Sequence, residues 1–357
     1  MSGPMSRLAE HRWVLLAGLL MGGVGSALAY LGNPANSGIC ISCFLENAAG
    51  AVGLHGNPRM QYIRPELLGF FLGSFGAALV AREFRPRGQG VGASLFGFGF
   101  LMMVGSAVFI GCPIKAVLRL AAGDLTSVPG LVGLVLGVWA GVGLLRRVDL
   151  GGGARPVVAP LTLPLGAVGV AALLTGLAFV PGALRESSGG GGALHAARPL
   201  SLAAGLVLGM VCQRSRFCIT GSIRDFLLTR SAWPAAALGA AIGAALLTNF
   251  FTGQFSLGYY DQPGSHLDAL WSALGMGLVG VVAVVAGGCP FRQIIRAGEG
   301  DLDALSVTLG MVCGAALVQL WGLGANAEGV PPGGRIAVLL GLAAVCSLAL
   351  HRGENRK

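Results

Sequence analysis

Long uninterrupted apolar runs alternate with short polar stretches along the whole chain. They cover 13–31, 66–82, 91–111, 127–145, 157–181, 198–212, 233–252, 268–288, 303–324 and 333–350. A helix needs about 20 apolar residues to cross the hydrocarbon core of a bilayer, so this pattern predicts about ten transmembrane helices. It excludes an outer-membrane barrel, because the strands of such a barrel alternate apolar and polar residues.

Four shorter apolar pieces lie between these runs, near 38–54, 112–122, 217–229 and 289–298. Each begins beside a cysteine and ends at a glycine or a charge, and each is too short to cross a bilayer. Such segments at membrane depth are tolerated only where protein or a watery cavity surrounds them. We therefore predict an all-α polytopic membrane protein in which four re-entrant half-helices form an hourglass between the spans.

Composition agrees with a membrane protein. Of 357 residues, 54% are hydrophobic and 11% are charged, against about 25% charged in soluble domains. Eight cysteines lie in or beside apolar segments, which argues against a secreted disulfide framework.

The net charge of +9 follows the ends of the spans. With ten spans, most basic residues fall on one face: Arg7, Arg12, Arg82, Arg85, Arg87, Arg146, Arg147, Arg155, Arg214, Arg216, Arg224, Arg230, Arg352, Arg356 and Lys357. The positive-inside rule then predicts a multi-pass membrane protein with both termini in the cytoplasm. The rule does not explain Arg59, Arg64 and Arg198, which fall on the other face.

An internal repeat is the most informative feature. A Gly-Cys-Pro motif with basic followers occurs at Cys112 and again at Cys289, 177 positions later, and an upstream motif occurs at Cys40 and again at Cys218, 178 positions later. This constant offset predicts a first half at 1–155, a connecting span with a Gly-rich linker at 156–197, and a second half at 198–357. Because five spans precede the second half, it is expected to be inverted, as in many secondary transporters; one miscounted span would make the repeat parallel.

The repeated cysteines are the candidates for a substrate pathway. Pro113 and Pro290 suit the first turn of a helix, which places Cys112 and Cys289 at N-caps. The positive end of a helix dipole there favours an anion and thiolate character. Two such ends entering from opposite faces would form an anion path with soft sulfur atoms in it.

Further residues belong to the same candidate site. Cys40 and Cys218 are predicted to contribute to the path, whereas Cys43 aligns with a glycine and has a supporting place. Four basic residues either face a cavity or only end their half-helices. The two interpretations are equally open for Lys115 and Arg292, and the second is favoured for Arg119 and Arg296. Asp124 and Asp301 are natural partners or loop caps. No cofactor, metal site or catalytic residue is predicted, because no His or carboxylate stands at ligand spacing beside the cysteines.

These motifs resemble the YeeE/YedE family of inner-membrane transport proteins. Stretches at 40–47, 61–66, 83–88 and 292–300 look most like the YedE branch described as selenium transporters. The resemblance implies uptake of a sulfur species, thiosulfate in the related branch, passed by S–H···S contacts at Cys112 and Cys289 with Cys40 or Cys218 as a third contact. It also implies a small TusA-like sulfur-carrier protein as a partner.

The function predicted is therefore a transporter or channel for a small selenium or sulfur anion. No G-x-x-x-x-G-K-[ST] motif occurs, so ATP is not expected to drive transport. A rival hypothesis is a membrane thiol oxidoreductase or sulfurtransferase using Cys40 and Cys43. A third treats the cysteines as small packing residues.

Overall fold

A computed structural model describes residues 4–88, 92–145, 157–158 and 160–354, and the side chains within 12–88, 92–145 and 160–347. Of the basic residues in the predicted charge bias, Arg7 and Arg352 lie in helices but their side chains fall outside these ranges. Arg146, Arg147, Arg155, Arg356 and Lys357 lie outside the described residues altogether. The predicted boundary at 155 lies outside them as well.

The described chain is almost entirely helical, which confirms the predicted all-α class. The helices are α1 (Pro4–Tyr30), α2 (Ile41–Ala51), α3 (Pro65–Val80), α4 (Gly92–Phe109), α5 (Pro113–Ala121), α6 (Ser127–Leu145), α7 (Thr162–Ala178), α8 (Arg198–Ser215), α9 (Ile219–Thr229), α10 (Ala232–Phe251), α11 (Ala269–Val285), α12 (Pro290–Gly298), α13 (Leu302–Leu320) and α14 (Pro332–Glu354). A 3-10 turn covers Gly190–Gly192 in the predicted linker. Two antiparallel strands of two residues each, β1 (Arg87–Gly88) and β2 (Val157–Val158), are the named strands of the described chain.

Many of these helices could cross a membrane. Within the described residues, seven helical segments are long and apolar enough: Arg12–Tyr30, Gly92–Ala121, Ser127–Leu145, Arg198–Thr229, Ala232–Phe251, Ala269–Gly298 and Leu302–Leu320. Three of these segments combine a long helix with the short helix that follows it, namely α4 with α5, α8 with α9 and α11 with α12. Shorter apolar helices at Pro65–Val80, Thr162–Ala178 and Pro332–Ser347 coincide with three further runs of the sequence. The chain is thus a polytopic helical membrane protein.

The order of helices is the same in the two halves of the chain. In α1–α7 and again in α8–α14, a longer helix is followed by a short one that starts after a cysteine, then by two longer helices, a second short helix after a cysteine, and two longer helices. The predicted connecting span is α7, which follows α6 as α14 follows α13.

The two halves pack on each other through glycines. On α1, a Cβ added at Gly18 or Gly22 would overlap the carbonyl oxygen of Ala237 or Ala241 on α10. Contacting residue numbers rise together on the two helices, so α1 and α10 run parallel. By the same criterion α6 runs parallel to α11, and α4 to α13. Small residues allow this close approach in a membrane, where water does not drive helices together.

Three of the four short helices lie in the interior of this bundle. All residues of α5 except Leu120 are buried, α12 is buried except for Arg296, and most of α2 is buried as well. In α9 only the first turn is buried, and its last residues are exposed. The long helices therefore enclose the cysteine-capped ends of the short helices.

Candidate functional site: a cluster of four cysteines

Four short helices begin at cysteines in the protein interior. Cys40, Cys112, Cys218 and Cys289 are the N-cap residues of α2, α5, α9 and α12, each with an extended backbone. Pro113 and Pro290 occupy the first helical position, as predicted, where their missing N–H would have no partner anyway. Helix N-termini carry partial positive charge, so all four helices favour negative charge at these cysteines.

The cysteines of the second half form a close pair. The Sγ atoms of Cys218 and Cys289 are 3.4 Å apart, and the backbone N–H of Cys289 donates to Cys218 Sγ at 3.4 Å. The same sulfur lies 3.3 Å from the Thr220 hydroxyl and accepts the Gly221 N–H at 3.4 Å. Cys218 thus links the N-termini of α9 and α12.

The first half contains a matching pair. The backbone N–H of Ile41, the residue after Cys40, donates to Cys112 Sγ at 3.3 Å, and the thiols of Cys40 and Cys112 lie within electrostatic range of each other. Cys40 Sγ lies 3.3 Å from the Ser42 hydroxyl and accepts the N–H of Cys43 at 3.4 Å. Each pair therefore joins two half-helix N-termini, and Cys112 lies within electrostatic range of Cys289 in the other pair.

A cavity of about 420 Å³ leads to the second pair. Its lining includes Cys218, Thr220 and the basic side chains of Arg216, Arg224, Arg292 and Arg296. Asp225 is its acidic lining residue, and it forms an ion pair with Arg224 at 2.8 Å. This first cavity is cationic and reaches the cysteine cluster directly.

A second cavity of about 650 Å³ approaches the first pair. It is lined by Cys43, Glu46, Arg59, Ile110, Gln319 and Glu328, among others. At offsets of 178 and 177, Cys43 and Ile110 correspond to Gly221 and Gly287, which line the first cavity. The second cavity stops at Cys43, because Cys40 and Cys112 behind it have no exposed surface.

Lys115 and Arg292 stand at matching positions but have different partners. Arg292 forms an ion pair with Glu299 at 3.1 Å, and its guanidinium also donates to the Cys212 carbonyl at 3.4 Å. The ammonium of Lys115, which is 2% exposed, donates to the carbonyl of Gly264 at 3.3 Å, and in the described residues it forms no ion pair. Lys115 is thus a buried cation beside Cys40 and Cys43.

The loop that carries Gly264 is fastened by His266. The ring Nε2 lies 2.8 Å from the Val108 carbonyl, and Nδ1 accepts the N–H of Asp268 at 3.1 Å. These partners assign the neutral tautomer with its proton on Nε2. Burial lowers the pKa of His266, so the ring is neutral at pH 7.

Arg119 and Arg296 anchor the ends of their half-helices. Arg119 Nε donates to Asp124 Oδ2 at 2.6 Å, and Nη2 donates to the Thr126 hydroxyl at 2.6 Å. Arg296 Nη2 likewise donates to Asp301 Oδ2 at 2.8 Å and Nη1 to the Ala286 carbonyl at 3.2 Å. The expected aspartate partners are therefore in contact with both arginines.

All eight cysteines lie in the described residues and are free thiols. Cys212 is buried in α8, and Cys313 and Cys346 lie partly or fully exposed on α13 and α14, away from the four N-caps. The sequence prediction missed Glu46 and Glu299. Glu46 could have been found as a departure from the repeat, because the position 178 residues later is Arg224.

Two comparisons with known proteins bear on this site. The sulphur transport family matches residues 214–329, a region that contains Cys218, Cys289 and Arg292. The thiosulfate transporter TsuA of Escherichia coli (strain K12) is 35% identical over 96 residues, and this match covers 27% of the present chain and 27% of that transporter. The matched segment is thus about a quarter of the relative's length. These matches confirm the resemblance of the chain to the YeeE/YedE family of sulfur transport proteins.

Proposed function

We propose that this protein transports a small, soft chalcogen anion, thiosulfate or a comparable selenium species, through the cluster of four cysteines. The observation that carries the proposal is the meeting of four half-helix N-termini at two thiol pairs, with a cavity approaching each pair.

The chemistry of the cluster suits such an anion. Helix N-termini favour negative charge without a fixed counter-ion that would hold the substrate too tightly. Thiols are weak donors and polarizable acceptors, so they match a sulfur or selenium surface better than the oxygen shell of sulfate. Because the pairs can pass the anion by S–H···S contacts, the proposal requires no covalent step and no catalytic residue.

The individual residues have distinct proposed roles. Cys112, Cys289, Cys40 and Cys218 form the constriction, and Cys43 is the first thiol reached from the second cavity. Lys115 and Arg292 attract the anion to the cluster. Arg119 and Arg296 support the path indirectly, because their aspartate partners hold the half-helices in place.

We further propose that residues 1–155 and 198–357 form an inverted repeat around this cluster, joined by 156–197. The parallel packing of α1 with α10 supports it, since α10 holds the place in the second half that α3 holds in the first. If α1 and α3 cross in opposite directions, α10 runs opposite to its counterpart. The first cavity then opens to the cytoplasm of a bacterial cell, on the side of both termini.

A soluble partner fits this orientation. A TusA-like sulfur carrier would receive the sulfur species at the cationic first cavity, where Arg216 is exposed. Such a partner follows from the family resemblance.

A second candidate function rests on Cys40 and Cys43. The backbone N–H of Cys43 donates to Cys40 Sγ at 3.4 Å, and the two thiols lie within electrostatic range of each other. A thiol oxidoreductase would need both residues equally, whereas transport through the cluster needs Cys43 less than Cys112.

Uptake into proteoliposomes tests the proposal. Labelled thiosulfate, selenite and sulfate are offered to wild type, Cys112→Ala, Cys289→Ala and the control Cys346→Ala, whose thiol is exposed on α14. We expect wild type to take up one soft anion and to exclude sulfate. Cys112→Ala and Cys289→Ala should lose this uptake, and the control Cys346→Ala should keep it. Uptake that persists in both cluster variants would instead support the packing hypothesis, and no uptake by folded wild type would contradict transport.

A further inference from the structure

The second cavity contains a carboxylate that passage of an anion does not require. Glu46 lies one turn after Cys43 on α2, is 7% exposed, and lines the cavity wall. A carboxylate at this position repels a substrate anion moving toward Cys40 and Cys112. A buried ionisable side chain that faces a cavity in a membrane protein marks a functional site.

The Glu46 carboxylate is held by a hydrogen bond from the neutral amide of Gln319. Gln319 Nε2 donates to Glu46 Oε2 at 2.5 Å, and Asn57 Nδ2 donates to Gln319 Oε1 at 2.7 Å, which fixes the orientation of the Gln319 amide. Within the described part of the chain, Glu46 forms no ion pair.

The titratable groups around Glu46 come from several elements. α13 contributes only the neutral Gln319 amide, and the ring of His55 contacts the backbone carbonyl of Glu46 at 2.8 Å rather than its carboxylate. Cys40 and Lys115 act electrostatically on the Glu46 carboxylate, and Cys43 lies one turn before Glu46 on α2. Arg59 and Glu328 line the same cavity. Arg64 interacts electrostatically with Cys40 and Cys43. Lys115 is thus the buried cation that acts on Glu46.

The second half of the chain lacks this arrangement. The position equivalent to Glu46 is Arg224, which is paired with Asp225, and the position equivalent to Lys115 is Arg292, which is paired with Glu299. In the described residues, the first half therefore holds a buried cation and a buried carboxylate that lack close ionic partners, and both lie within electrostatic range of the Cys40 thiol.

We propose that Glu46 is the proton-binding site that couples anion passage to proton entry from the second cavity. This inference rests on the proposed transport function. The positive charge of Lys115 favours the ionised carboxylate of Glu46. An anion bound at the thiol pair offsets this charge, so the ionised form of Glu46 becomes less favourable. The carboxylate then binds one proton from the cavity, its charge disappears, and the anion passes. Once the anion has left toward the first cavity, Lys115 again favours the ionised carboxylate, and Glu46 releases its proton toward the first cavity. One O–H bond forms and the same bond breaks.

Two transport modes separate this inference from the function on which it rests. Counterflow exchanges labelled for unlabelled thiosulfate without net movement, and net uptake is measured with and without an inward-directed pH gradient. With one proton per anion, a gradient of about one pH unit raises the accumulation ratio about tenfold. Glu46→Gln mimics the protonated side chain, and Glu328→Gln is the matched control on the same cavity wall.

We expect wild type and Glu328→Gln to respond to the gradient, and Glu46→Gln to keep counterflow but lose the response. The same gradient response in Glu46→Gln as in wild type overturns the inference while leaving transport intact. Absence of counterflow in wild type contradicts the proposed function itself. Should Glu46→Gln fail to fold, a pH dye inside wild-type vesicles decides: acidification on adding thiosulfate supports coupling, and a constant lumenal pH refutes it.

Discussion

Replacing Arg119 with Gln should damage the fold and leave the transport path itself intact. The Arg119 and Asp124 side chains are 1% and 0% exposed and are joined by a contact of 2.6 Å. Without the guanidinium, the buried Asp124 carboxylate keeps two hydrogen bonds from Thr126. One comes from the Thr126 backbone N–H at 2.8 Å and the other from the Thr126 hydroxyl. Breaking one side of such a buried pair costs about 3–5 kcal/mol.

The assay is unfolding of purified protein in mixed micelles, with transport measured per folded molecule. Arg119→Met combined with Asp124→Leu removes both charges and should recover most of the loss, because replacing a buried ion pair by apolar residues is often close to neutral. The equivalent Arg296→Gln should cost less, since that guanidinium is 22% exposed and water can replace part of its role. A stable Arg119→Gln protein that has lost thiosulfate counterflow would refute this reasoning and place Arg119 in the path.

Three further predictions address packing, substrate attraction and pH. Gly22→Ala should destabilise the protein by about 1–3 kcal/mol because its Cβ overlaps α10, whereas Gly243→Ala, whose Cβ meets nothing within 4 Å, should stabilise it by up to about 1 kcal/mol; unfolding midpoints that shift in the same direction contradict this. Lys115→Gln should raise the KM for counterflow by about tenfold or more, as one charge-assisted contact contributes about 1.5–3 kcal/mol, and Lys115→Arg should restore it; equal KM values for Gln and wild type would exclude the role. Because burial lowers the pKa of His266, the unfolded chain binds the extra proton first, so stability should fall as pH drops below about 6.5; a Tm-against-pH profile of His266→Gln that parallels wild type would rule this out.

Local sequence features predicted the elements well. Apolar runs marked the spans, and a cysteine followed by proline marked the start of α5 and α12, because helix caps depend on a few neighbouring residues. The partnership of Arg119 with Asp124 was predictable for the same reason, as the two residues are five positions apart.

Long-range partners were beyond the reach of the sequence. Small residues four positions apart, such as Gly18 and Gly22, are typical of a close helix contact, but nothing in their spacing identifies α10 as the neighbour. The repeat aligned Cys40 with Cys218, whereas the contact partner of each is the cysteine about 71 positions later. Similarly, the hydrogen-bond donor to the Glu46 carboxylate is Gln319, which is 273 positions away in the sequence.

The differences between the halves matter more to function than their likeness. Duplicated cysteine caps give a path that an anion could follow in either direction, and no arrangement of fixed charges along such a path can by itself produce accumulation. A dianion entering against a membrane potential of 100 mV faces about 4.6 kcal/mol, since each charge contributes about 2.3 kcal/mol. Uptake into a cell therefore requires a second, favourable movement of charge that is tied to the anion, and one proton per dianion offsets about 2.3 kcal/mol of this cost. In the proposal above, Glu46 ties the two together, and the repeat has no carboxylate at the counterpart position, which is Arg224. If Glu46 binds the proton as proposed, the departure of one residue from the repeat supplies a step that the duplicated cysteine caps cannot perform.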